Sequence, residues 1–210
     1  MHNDGHEAPA TEHLEAGVRV SVASIVWTVT SGAAAVVIGL SARSLVLAAF
    51  GFTGLLDAAG STALVVHFRH ALSHDAVSEG HERRAMRVIT AGLVLVGTLT
   101  AVESARRLVV GVPAAATKPG LALAATSIGV LGVFAIGKNR IAGRIPSRAL
   151  RADGWLSGTG CLLAVVTVAG TGLASAYGWW WADPVAASAV AFGAIWTAGA
   201  MARDSPDPRP

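Results

Sequence analysis

Residues 147–160 read SRALRADGWLSGTG, which sets one carboxylate, Asp153, just past two arginines, Arg148 and Arg151, at the mouth of a long uncharged run. That run is apolar and rich in Gly and Ala, and about 20 such residues span the hydrocarbon of a bilayer as a helix. An earlier stretch has the same pattern. Residues 44–51, SLVLAAFG, match residues 147–154 at Ser44 and Ser147, Leu47 and Leu150, Ala49 and Ala152, and Gly51 and Gly154. An internal repeat between two membrane spans points to a transporter whose site lies where the two copies face each other.

Working outward, the chain has 210 residues, 53% of them hydrophobic and only 14% charged, with a mean hydropathy of +0.56. That is too apolar for a water-soluble domain. Six apolar segments have the length of a span, near 20–40, 45–67, 88–107, 119–137, 147–170 and 182–202. The expected organisation is a polar cytoplasmic N-terminus at 1–19, a six-span membrane domain at 20–202 and a short disordered tail at 203–210. The residues before the first span are acidic rather than basic, so no secretory signal is expected there.

Six spans put both termini on one side. Lys and Arg divide 12 against 4 between the two sets of flanking segments, which places both termini in the cytoplasm of a multi-pass protein of the plasma (inner) membrane. The basic loops account for the pI near 9.7 as topology signals facing anionic lipid, and no nucleic-acid partner is expected. One cysteine, Cys161, excludes an internal disulfide and a cysteine zinc cluster. Tyr177, Trp179, Trp180 and Trp181 cluster between the last two spans, where an interfacial aromatic belt belongs. The Gly and Ala of LDAAGSTAL and GTGLASA allow close helix packing or dimerisation.

The paired segments carry a resemblance. The chain is similar to the cation diffusion facilitators, six-helix secondary transporters that export zinc and similar divalent ions against protons. In that family a Ser-x-x-Leu-x-Ala-Asp-Gly or -Ala segment opens the second and fifth helices. Further likeness lies in VASIVWTVTSGAAAVVIGLSARS (22–44), in GHERRAMR (80–87) and in the Asp-Pro start within WWWADPVAASAVA (179–191). The resemblance implies an all-α, six-helix transmembrane bundle and a homodimer. It looks closest to short members that end after the sixth helix, without a cytoplasmic ferredoxin-like domain.

The resemblance also implies a metal site of four side chains, two from helix two and two from helix five at a spacing of four. Here those positions are Thr53 and Asp57, then Leu156 and Gly160. Leucine and glycine cannot bind a metal, so a tetrahedral zinc site is incomplete. Asp57 lies near the middle of its span, where an ionisable group is costly and marks a function, as cation ligand or proton carrier. The alternative for Asp57 is an acid that merely packs the bundle. Asp153 is expected to pair with Arg148 and Arg151 at helical spacing near the interface, or to guide a cation toward Asp57.

Three further groups complete the candidates. His67, His70 and His74 share one helical stripe if helix two continues into the cytoplasm, which suits zinc, nickel or copper; a plain polar extension is the alternative. Glu103 is expected to pair with Arg106 or Arg107. Asp183 before Pro184 reads as a helix start with a capping carboxylate. No nucleophile motif, phosphate-binding glycine loop or paired catalytic carboxylates occurs, so catalysis is not the leading reading.

The sequence therefore predicts a transporter of divalent cations, zinc or another, coupled to protons. Thr53, Asp57, Asp153, His67, His70 and His74 are its candidate ligands, and Leu156 and Gly160 line its cavity. Two alternatives stand beside it. One is a transporter-derived protein that binds or modifies a small organic molecule between helices two and five. The other is a non-transporting partner subunit.

Overall fold

The computed structural model describes residues 7–72, 79–111, 117–144 and 148–204. They form six helices: α1 (Glu7–Ser41), α2 (Leu45–Leu72), α3 (Glu79–Val110), α4 (Lys118–Arg144), α5 (Arg148–Tyr177) and α6 (Ala182–Asp204). Among the described residues there is no strand, and the fold is the all-α six-helix bundle that the sequence predicts. Runs long and apolar enough to cross a membrane are Ala16–Ser41, Lys118–Gly143 and Asp153–Tyr177, with a shorter one at Leu45–Ala59. Several helices run past the predicted spans. Residues 7–19 of the polar N-terminal stretch belong largely to α1, and EGHERRAMR begins α3, because Glu, Arg, Ala and Met favour helix on either side of a membrane boundary.

The closest packed pairs are α1 with α2, α4 with α5, and α3 with α6. The first two are hairpins of consecutive helices, and α2 also touches α5, α3 and α6. The two halves of the sequence repeat therefore build matching hairpins. The glycine of each repeat sits where its helix meets the preceding one. A Cβ on Gly51 would lie 2.6 Å from the carbonyl oxygen of Gly32 in α1, and one on Gly154 would lie 2.7 Å from Oδ1 of Asn139 in α4.

Between the hairpins the core is built from small side chains. Ala35, Val46, Ala49, Phe50, Leu163, Ala164, Ala187 and Val190 are buried together from α1, α2, α5 and α6. Leu93, Ala194 and Ala198, with Leu56 against them, join α3 and α6 to α2. Small residues let the helices approach closely, which dispersion requires where lipid removes the hydrophobic drive between helices. The bundle ends differ in chemistry. Tyr177, Trp179, Trp180 and Trp181 are exposed between α5 and α6, with the Trp179 and Trp181 rings stacked at 5.1 Å, as an interfacial belt requires.

Candidate functional site

Asp57 and Thr53 lie one turn apart on α2, so a spacing of four presents both on one face. That face opens on a cavity of ≈ 40 Å³ lined also by Leu156 and Gly160 of α5. All four positions implied by the resemblance thus meet in one place. Within it, Oδ1 of Asp57 and Oγ1 of Thr53 are buried without a hydrogen-bond partner. Asp57 as a whole keeps partial accessibility, because its side chain borders the cavity.

Hydroxyls surround the acid. Thr28 and Ser31 of α1, Thr159 of α5 and Thr197 of α6 line the same cavity. Thr159 donates to the Trp155 carbonyl at 3.1 Å and Thr197 to the Gly193 carbonyl at 2.8 Å. A hydroxyl whose proton is spent on its own helix keeps lone pairs to offer, so the lining presents acceptors. An unsatisfied carboxylate oxygen among oxygen acceptors suits a cation, a proton or ordered water. The volume admits a small ion or a few waters, since one water needs about 10–15 Å³.

Asp153 proves to be placed quite differently from the expectation. It is fully buried and pairs with Lys138 of α4, also fully buried, at 2.8 Å. Ser21 of α1 donates to its Oδ2 at 3.0 Å and Ser61 of α2 to its Oδ1 at 2.5 Å. Lys138 donates further to Ser157 at 3.0 Å, and Ser157 to the Asp153 carbonyl at 3.1 Å. The acid ties α5 to three other helices, α1, α2 and α4, and both its oxygens are engaged within the protein. Lys138 answers its charge, where Arg148 and Arg151 were expected; the side chains of those two arginines lie outside the described residues. Lys138, expected in a loop, is an interior group.

At the other end of the bundle, Glu103 binds Arg106 at 2.7 Å and Arg107 at 3.0 Å. Arg107 reaches across to donate to the Arg43 carbonyl at 2.5 Å and stands 4.0 Å from Asp183. Asp183 begins α6 as expected, but its carboxylate serves another helix: it accepts Ser44 Oγ at 2.5 Å and the Leu45 backbone N–H at 2.8 Å. It therefore caps the buried start of α2 and sews α2 to α6.

His67 and His70 fall within α2, their side chains outside the described residues, and His74 lies outside the described residues altogether. Among the described residues no three His, Cys, Asp or Glu stand together as a metal-holding group. Cys161 is partly buried and donates weakly to the Ile128 carbonyl. Sequence reasoning missed Lys138, Ser21, Ser61 and Ser157. The available signal was depth: Lys138 lies six residues before the end of α4 at Arg144 and Asp153 five after the start of α5 at Arg148, so the two helices of the hairpin bring them to one level.

No curated protein matches the chain. The cation efflux transmembrane domain family matches residues 21–207, nearly the whole length. With six helices, matching hairpins and an acid in the cavity between them, the chain belongs to that family and is a membrane protein of the cation-transporter kind.

Proposed function

We propose that this chain moves cations across the plasma membrane through the cavity between α2 and α5, exchanging them against protons at Asp57. The observation that supports it is the Asp57 carboxylate oxygen left without a partner beside Thr53, in a cavity bordered by both repeats. A buried polar oxygen without a partner is costly, and a pathway that passes a cation or proton gives it one. The family implies a divalent metal as cargo. Tetrahedral zinc is the poorest fit, since one carboxylate and one hydroxyl stand where four ligands are needed and Leu156 and Gly160 supply none. In this reading the chain works as a homodimer with both termini cytoplasmic, and His67, His70 and His74 collect cations at the cytoplasmic end of α2. The alternative of an organic ligand has little space to work with, because small-molecule pockets occupy about 300–1,000 Å³ and this cavity is ≈ 40 Å³.

The test is flux in proteoliposomes loaded with cation- and pH-sensitive dyes. The wild type is expected to move a cation with opposed proton movement, and Asp57→Asn to fall to the level of empty liposomes. Equal flux in Asp57→Asn, or none in the wild type for any cation tried, would remove this reading.

A further inference from the structure

Two charged groups inside the bundle beside Asp57 set how much charge the cavity can take. Lys138 and Asp153 are both 0% exposed; they stand outside the cavity lining and are bonded to Ser61 and Ser157, which neighbour lining positions of α2 and α5. Ser61 follows Asp57 by one turn of α2 and donates to Asp153. Ser157, which accepts from Lys138, is the neighbour of cavity-lining Leu156 on α5. Asp57 is thus one turn of α2 away from the serine that holds Asp153, and Asp153 in turn holds Lys138. With Asp57 ionised, the described residues at this level of the bundle count two carboxylates and one ammonium, a net single negative charge.

Charge left uncompensated in a low-dielectric interior is heavily penalised. A singly charged cation at Asp57 brings the level to neutrality, whereas a doubly charged one leaves a surplus positive charge beside Lys138. The ligand chemistry agrees: a carboxylate and hydroxyls are hard oxygen donors, without the imidazole or thiolate that selects zinc.

We infer that Lys138 is a tethered cation filling one of the two charge places of the pathway, so that the cavity takes a singly charged cation, an alkali ion or a proton, at Asp57 and Thr53. This rests on the proposed reading of the cavity as a cation path and narrows its cargo away from divalent metal.

The test is a charge cycle on the full-length protein, measuring both equilibrium binding in detergent and flux in proteoliposomes for sodium, potassium, zinc and manganese ions, with a luminal pH dye for protons. The wild type should favour monovalent ions or protons, the metal arms separating sodium and potassium from proton alone. Lys138→Gln raises the net negative charge to two and should shift the preference toward divalent ions by about tenfold or more. The double variant Lys138→Gln with Asp153→Asn returns the count to one and should return the monovalent preference, and Lys138→Arg should keep it. A purely structural pair would give losses of folding or of total flux without these reversals of selectivity. Asp57-dependent transport of divalent ions by the wild type, or selectivity indifferent to the charge count, overturns the inference and leaves the transport reading standing. No binding or flux of any cation in the wild type defeats both.

Discussion

The bundle buries two aspartates close together and treats them in opposite ways. Asp153 on α5 has both oxygens engaged, by Lys138, Ser21 and Ser61; Asp57 on α2 has an oxygen with no partner and faces a cavity. The repeat sharpens the contrast. Carried from one hairpin to the other, Asp153 falls on Phe50, Thr53 on Leu156 and Asp57 on Gly160. The α2 copy thus keeps its cavity-facing acid and has a core phenylalanine where the other copy has its anchor. The α5 copy keeps the anchor and has leucine and glycine where Thr53 and Asp57 stand in α2. One half holds the fold and the other presents the charge.

The largest effect should come from breaking the anchor. Lys138→Ala or Asp153→Ala leaves the other charge buried without its partner, and such a loss costs about 3–5 kcal/mol. Urea or thermal unfolding in detergent should show both variants strongly destabilised. Replacing both groups with apolar residues of similar volume, as in Lys138→Met with Asp153→Leu, should be far milder than either single change, because no orphan charge remains. Equal destabilisation of the single and double variants would mean that the serine network, and not the ion pair, carries the anchor.

The two repeat glycines give the next contrast. A Cβ on Gly51 meets backbone, the Gly32 carbonyl at 2.6 Å and the Val36 nitrogen at 2.7 Å. The hairpin must open to admit it, so Gly51→Ala should cost about 1–3 kcal/mol. A Cβ on Gly154 meets Oδ1 of Asn139 at 2.7 Å, the end of an exposed side chain that can swing away. Gly154→Ala then removes a helix-interior glycine and should gain about 0.5–1 kcal/mol. The same unfolding assay decides both, and matched losses would show that the hairpins are packed alike.

The spans and the repeat were legible from sequence because they rest on local quantities, run length and hydropathy, and the meeting of positions 53, 57, 156 and 160 was legible only through the family resemblance. The Lys138 pair was not. Lys138 sits in the string Lys138-Asn139-Arg140, which has the composition of a cytoplasmic flank, and only the closure of the α4–α5 hairpin reveals which of its charges turns inward. Asp183 was legible as a helix start, yet its target, the first turn of α2, lies 138 residues away in sequence. Helix-to-helix partners across such separations are set by packing, which leaves no periodic trace in the chain. The cavity hydroxyls Thr28, Ser31, Thr159 and Thr197 were hidden for a related reason: Ser and Thr abound in these spans as internally bonded residues, as Thr30, Thr126 and Thr167 are.

The smallest expected change in stability belongs to the residue with the largest expected role. Asp57→Asn keeps the shape of the side chain, and because Oδ1 has no partner there is no hydrogen bond at that atom to lose. Its unfolding free energy should stay within about 0.5 kcal/mol of the wild type, as for changes that touch no packed or bonded feature, or rise slightly as an ionisable group leaves the interior. Asp153→Asn, an identical chemical change on α5, should lose much of the anchor. Measured side by side, the pair of substitutions separates an acid kept for folding from an acid kept for cargo: stability falls in one with the ion pair, and flux falls in the other with stability intact. A loss of stability in Asp57→Asn comparable to that in Asp153→Asn would place both acids in the framework and leave the cavity without a charge to carry.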